Sequence, residues 1–191
     1  MKKTQILVFI LYFYIIAVAV MFIRAIYFAL EIDGNLFSDA LFDLSFILSI
    51  MLAMFVLVFL VFGIYRSFQL FSENETEKLK VEMKRLKFSL IPFYIINFIV
   101  YFSVFILVVV ATRGFILFTS FVFPFLLQIG FTYLIVAGTS SYGIFYVYSR
   151  YKSNHIKVDK VIILVLLQFF FILDIVSTII ILKDKEINRI L

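Results

Sequence analysis

The sequence predicts an all-α, polytopic integral membrane protein: a bundle of five transmembrane helices with a short cytoplasmic amphipathic helix. Three observations carry this. Of 191 residues, 65% are hydrophobic and only 15% charged, and the mean hydropathy is +1.17; a soluble domain of this size needs about a quarter of its residues charged to cover its surface. Apolar runs of about 20 residues, enough helix to cross a hydrocarbon core of about 30 Å, recur five times along the chain. Lys and Arg gather in alternate gaps between those runs. The same composition excludes a soluble cytosolic enzyme. The absence of cysteine excludes thiolate chemistry, disulfides and thiolate metal sites, and His155 alone remains for imidazole chemistry.

The first span covers residues 6–30 and is interrupted by Arg24. Lys2 and Lys3 before it and Ala17-Val18-Ala19 within it give it the outline of a signal peptide. The chain stays apolar through Val20-Met21-Phe22-Ile23, however, so it reads as a retained span. The second and third spans are 44–65 and 90–111. Between them Ser72 and Glu75 have capping-box spacing, and Leu79, Met83, Leu86 and Leu90 recur at helical spacing, which predicts an amphipathic helix leading into the third span. Its acids, Glu73, Glu75 and Glu77, come early. Its bases, Lys84, Arg85 and Lys87, come late, beside anionic headgroups.

The charge-free stretch from Phe115 to Ser149 is longer than one untilted span and too short for two with a turn. It reads as an interfacial piece before Pro124 and one helix over 124–149. The fifth span, 161–182, contains Asp174. No repeat or linker divides the chain, so residues 1–191 read as a single transmembrane domain.

Orientation follows from the bases. Lys2, Lys3, Arg66, Lys78, Lys80, Lys84, Arg85, Lys87, Arg150, Lys152, Lys157 and Lys160 are twelve of the 17 and fall on one side, opposite the acidic loop with Glu31, Asp33, Asp39 and Asp43. That places the N-terminus inside and the C-terminus outside. With 27 Phe and no Trp, the composition matches AT-rich coding, pointing to a bacterial cytoplasmic (plasma) membrane.

Catalytic signatures are absent. Gly138-Thr-Ser-Ser-Tyr-Gly143 has the two-glycine spacing of a phosphate loop, but Ile144 and Phe145 stand where Lys and Ser/Thr are needed, so it reads as a small, polar packing patch. His155 belongs to a solvated basic loop. The expectation is no enzyme, no cofactor, no metal and no nucleic-acid partner. The informative residues are Arg24 and Asp174, because an ionisable group within a span costs several kcal/mol unless it is paired or faces water. They read as an ion pair tying the first span to the fifth, as a transport site, or, for Arg24, as a side chain that snorkels to the headgroups without a partner. Asn97, Tyr101, Gln128, Gln168, Ser177 and Thr178 could line a polar cavity, and interhelical hydrogen bonding explains them equally well.

The functional expectation is a non-catalytic multi-pass membrane protein, an accessory, immunity or membrane subunit of a bacterial export system. Its helix bearing Leu79, Met83 and Leu86 would dock a membrane or ATPase partner subunit. The alternative is a small-molecule or ion transport or binding subunit with a polar intramembrane site.

Overall fold

The computed structural model describes residues 2–29, 36–111, 113–114, 122–153 and 156–183; within these the side chains of 2–4, 21–22, 24–29, 36–42, 111, 124 and 171–172 are outside the description. The described secondary structure is helical throughout: α1 (Lys2–Ala29), α2 (Leu36–Ser72), α3 (Thr76–Ala111), α4 (Val122–Lys152), α5 (Val158–Leu167) and α6 (Phe171–Lys183). Asp43–Ser72, Thr76–Val110 and Phe125–Lys152 are each long and apolar enough to cross a membrane. A helix is the form such segments must take in lipid, since it satisfies its own backbone groups.

The surface suits lipid. Along α2, Phe46, Ile47, Ile50, Met51, Met54 and Phe55 are exposed while Ser45 and Ser49 are buried, the reverse of a soluble helix. Along α3 one inward stripe runs Leu79, Met83, Leu86, Lys87, Leu90, Phe93, Tyr94, Asn97 and Val104 at helical spacing. The helix continues through Pro92, whose missing N–H leaves the Phe88 carbonyl without its usual intrahelical donor.

The described chain divides into two compact units. One comprises Met1–Gln5, Val58–Ile91 and Phe131–Leu191; the other comprises Ile6–Leu57 and Pro92–Gly130. In the first, Phe145 of α4 stacks on Phe71 of α2, centroids 5.5 Å apart, and Phe68 meets the same ring at 5.8 Å. In the second, Tyr12 of α1 meets Phe93 of α3 edge-on, and Phe105 of α3 meets Phe125 of α4 likewise. With few glycines, bulky rings provide these contacts.

Two expectations change. Ser72 ends α2 instead of capping a new helix: its hydroxyl donates to the Gln69 carbonyl at 2.9 Å. Asn74 takes a left-handed conformation (φ 57°), with the Asn74 N–H on the Phe71 carbonyl and the Glu75 N–H on the Leu70 carbonyl. That pair of bonds is a Schellman C-cap, with Asn where glycine is usual. The chain therefore reverses within three residues, and the segment expected as a separate amphipathic helix is instead the first third of α3.

The second change concerns 161–182, expected as one span. It is two short helices, α5 and α6, joined by residues 168–170. The N–H groups of Gln168, Phe169 and Phe170 reach back three residues to the carbonyls of Val165, Leu166 and Leu167, tightening the end of α5. Ser177 Oγ then donates to the Leu164 carbonyl at 3.1 Å. In an unbroken helix residues thirteen apart stand about 20 Å apart along the axis, so α6 has doubled back along α5. The result is a helical hairpin.

Candidate functional site

The hairpin places Asp174 in the first turn of α6, where its N–H bonds the Phe170 carbonyl at 2.7 Å. Its carboxylate meets Lys87 of α3: Lys87 Nζ stands 2.5 Å from Oδ1 and 2.6 Å from Oδ2. The same ammonium donates to Ser140 Oγ of α4 at 2.9 Å. Lys87 is 2% exposed and Asp174 0%. Three elements thus converge on a buried ion pair in which one ammonium meets both carboxylate oxygens, with charge-assisted hydrogen bonds that are stronger than neutral ones. All belong to the first unit.

Ser140 is the junction. Its oxygen lies 2.7 Å from the Val136 carbonyl of its own helix, 2.9 Å from the Gln168 carbonyl in the hairpin turn and 3.2 Å from Asp174 Oδ1. One hydroxyl proton serves one acceptor at a time, so the side chain can hold either its own helix or the turn. Within α6, Thr178 Oγ1 donates to the Asp174 main-chain carbonyl at 2.9 Å.

Gln168 is fully buried, and neither atom of its side-chain amide has a hydrogen-bond partner among the described residues. Buried amides are otherwise almost always satisfied. The amide packs on Gly143, one turn beyond Ser140 on α4; a Cβ at Gly143 would stand 2.3 Å from Gln168 Oε1. Any larger residue there would force the amide to move. Gly138 likewise lets Leu60 of α2 approach to 3.0 Å of where its Cβ would be, and Ser141 bonds Ser67 of α2 at 3.0 Å. The Gly138–Gly143 segment lies inside α4 and packs helices together; there is no loop for a phosphate.

Toward the ends of α3 and α4 a second tie forms. Arg150 reaches Glu77 at 3.2 Å and lies 5.7 Å from the Tyr146 ring centroid, and Thr76 and Ser149 share a hydrogen bond of 3.0 Å.

The residues singled out from the sequence fall in different places. Asp174, Gln168, Ser177 and Thr178 are buried in the first unit; Asn97, Tyr101 and Gln128 belong to the second, where Tyr14 donates to Gln128 Oε1 at 2.5 Å and also bonds Tyr101. Ser177 and Thr178 bond main-chain carbonyls of the hairpin. The Arg24 side chain, expected opposite Asp174, lies outside the described residues, as do His155 and the loop acids Glu31 and Asp33. The partner found for Asp174 is Lys87, which the sequence places on the amphipathic helix beside anionic headgroups. The signal was present: Lys87 is four residues after Met83 and three before Leu90, on the face of the predicted stripe. Leu79, Met83 and Leu86 are themselves buried in the protein, so that stripe offers no free docking surface.

A family profile matches residues 2–187, nearly the whole chain. The chain belongs to the family of unknown function DUF6652. No curated protein and no solved structure matches it.

Proposed function

We propose that this is a non-catalytic protein of the bacterial plasma membrane that binds and moves an ion or small solute, with Lys87 and Asp174 as its charge-bearing site. The observation that carries the reading is the complete burial of that ion pair against an amide with spare hydrogen-bonding capacity, at the turn of a helical hairpin. Packing alone gives little reason for it, because apolar side chains of similar volume commonly hold a core as well as a buried ion pair does. Ionisable groups at such positions more often mark an ion or substrate pathway. The reading as an export-system accessory or ATPase-docked subunit rested on the Leu79, Met83 and Leu86 stripe, whose burial leaves it without a supporting observation.

The orientation we propose has the N-terminus cytoplasmic and four crossings, α1 to α4. The hairpin then enters and leaves on the cytoplasmic side, because α5 and α6, with 10 and 13 residues, rise only about 15 and 20 Å each. The turn is the kind of non-helical backbone that membrane depth tolerates when protein covers it, and the Ser140 hydroxyl on the Gln168 carbonyl covers it here.

The test is charge displacement in proteoliposomes on a solid-supported electrode, after jumps of pH, sodium chloride or a mixture of amino acids. A transient current in the parent that is lost in a stably folded Asp174→Asn protein is the expected result. No current to any jump, or a current undiminished by the substitution, makes the pair a structural tie and removes the reading.

A further inference from the structure

Resting on that reading, we infer that the ion exchanged at this site is the proton, the Lys87 ammonium standing where an alkali cation would otherwise sit. Asp174 Oδ1, Asp174 Oδ2 and Ser140 Oγ surround a single point at 2.5, 2.6 and 2.9 Å, and the Gln168 carbonyl lies 2.9 Å beyond Ser140 Oγ. A carboxylate, a hydroxyl and nearby carbonyls are the hard oxygen ligands that alkali and alkaline-earth cations take. That point is filled by a cation the chain carries itself. Lys87 Nζ spends its donors on these oxygens and, on its four-carbon stem, cannot diffuse away as sodium would.

What such a site can gain or lose is a proton. As an ion pair the two groups are neutral together, one ammonium against one carboxylate. A proton arriving from cytoplasmic water adds to an Asp174 oxygen, giving a carboxylic acid beside an ammonium and a net charge of +1; its return to water restores the neutral pair. Protonation removes the acceptor for one of the two short Lys87 bonds, and with it part of the tie between α3 and the hairpin. The groups set against Asp174 are Lys87 from α3 and Ser140 from α4, with Thr178 on its own helix, so Lys87 is the charged group facing it among the described residues. The orphan Gln168 amide supplies the second, independent pointer. Its Oε1 can accept from a water or a hydronium, and its Nε2 can donate to a water, one helical turn from Ser140, a polar place where a bound water would find partners.

The experiment labels the full-length parent protein in membranes with dicyclohexylcarbodiimide, an apolar reagent that adds to protonated carboxyls buried in lipid. The acid proton moves to one carbodiimide nitrogen, the carboxyl oxygen bonds the central carbon, and rearrangement leaves a stable N-acylurea that mass spectrometry locates. A proton site predicts label on Asp174 that climbs by up to about tenfold for each pH unit of acidification while the carboxyl is mostly ionised, with sodium giving no protection. Protection by sodium would show an alkali-cation site; it overturns the proton inference and leaves the transport reading standing. An Asp174 that stays unlabelled at every pH also overturns it, and the transport reading falls with it only where the charge displacement is absent too. A second protein, Lys87→Ala, vacates the cation position. Its melting midpoint should rise with sodium but not with choline, a response absent from the parent and from Lys87→Ala/Asp174→Asn. A folded Lys87→Ala protein indifferent to sodium would show that the ammonium holds no cation's place.

Discussion

Removing either member of the Lys87–Asp174 pair leaves the other charge in apolar surroundings, whereas removing both leaves only a packing defect. Lys87→Met and Asp174→Leu should each cost about 3–5 kcal/mol in detergent unfolding, and the double substitution should recover most of it. Losses that simply add would show that the two charges are not coupled. Gly143 provides a second contrast. A Cβ there meets the buried Gln168 amide at 2.3 to 2.7 Å, whereas one at Gly63 meets nothing nearer than Tyr142 Cε2 at 3.8 Å. Gly143→Ala should therefore destabilise by about 1–3 kcal/mol through overpacking. Gly63→Ala should gain up to about 1 kcal/mol from helix propensity, and the same melting experiment reads both. At this scale the sequence made Asp174 conspicuous, since an acid amid Phe, Ile and Leu needs a reason. Lys87 was hidden because it stands among other bases, Lys84 and Arg85, and only its phase on the helix separates it from them. The role of Gly143 could not be read, because nothing local says which side chain will rest on it.

At the scale of elements, hydropathy located the helices and misplaced their ends. The turn between α2 and α3 depends on Asn74 in the left-handed region, so Asn74→Ala should cost about 1 kcal/mol and Asn74→Gly nothing or a slight gain. Equal melting of all three proteins would remove the cap from the account. Ser72 and Glu75 have capping-box spacing and yet sit on the preceding helix's last turn and in the link, because the Asn74 reversal closes α2 with its own C-terminal carbonyls. The break at 168–170 has no proline or glycine to announce it. It is stabilised from outside, by Ser140 on the Gln168 carbonyl and Lys87 on Asp174, partners 28 and 87 residues away. A period or a breaker is legible in a window of twenty residues; a tertiary contact that bends an apolar run is not.

For the whole molecule the hairpin decides where the chain emerges after α6. A single span over 161–182 would carry the tail to the outside, together with Lys183, Lys185 and Arg189. If α5 and α6 instead enter and leave on one side, those three bases join the twelve already assigned to the cytoplasm, and 15 of the 17 share a side, with Arg24 and Arg113 the remainder. Charge bias orients short loops near span ends, so it agrees with the same-side arrangement proposed above for the hairpin that the Ser177–Leu164 hydrogen bond closes. Reporter fusions at Asn154 and Asn188 should then both give cytoplasmic signals. Ser177 and Asp174 hold the hairpin closed in different ways, one within it and one to its neighbours. A Ser177→Leu/Asp174→Leu protein that straightens the segment would move the Asn188 signal outside while leaving Asn154 in place. An external Asn188 in the parent protein would instead mean that 161–182 crosses the membrane as one helix, and the four crossings we propose would become five.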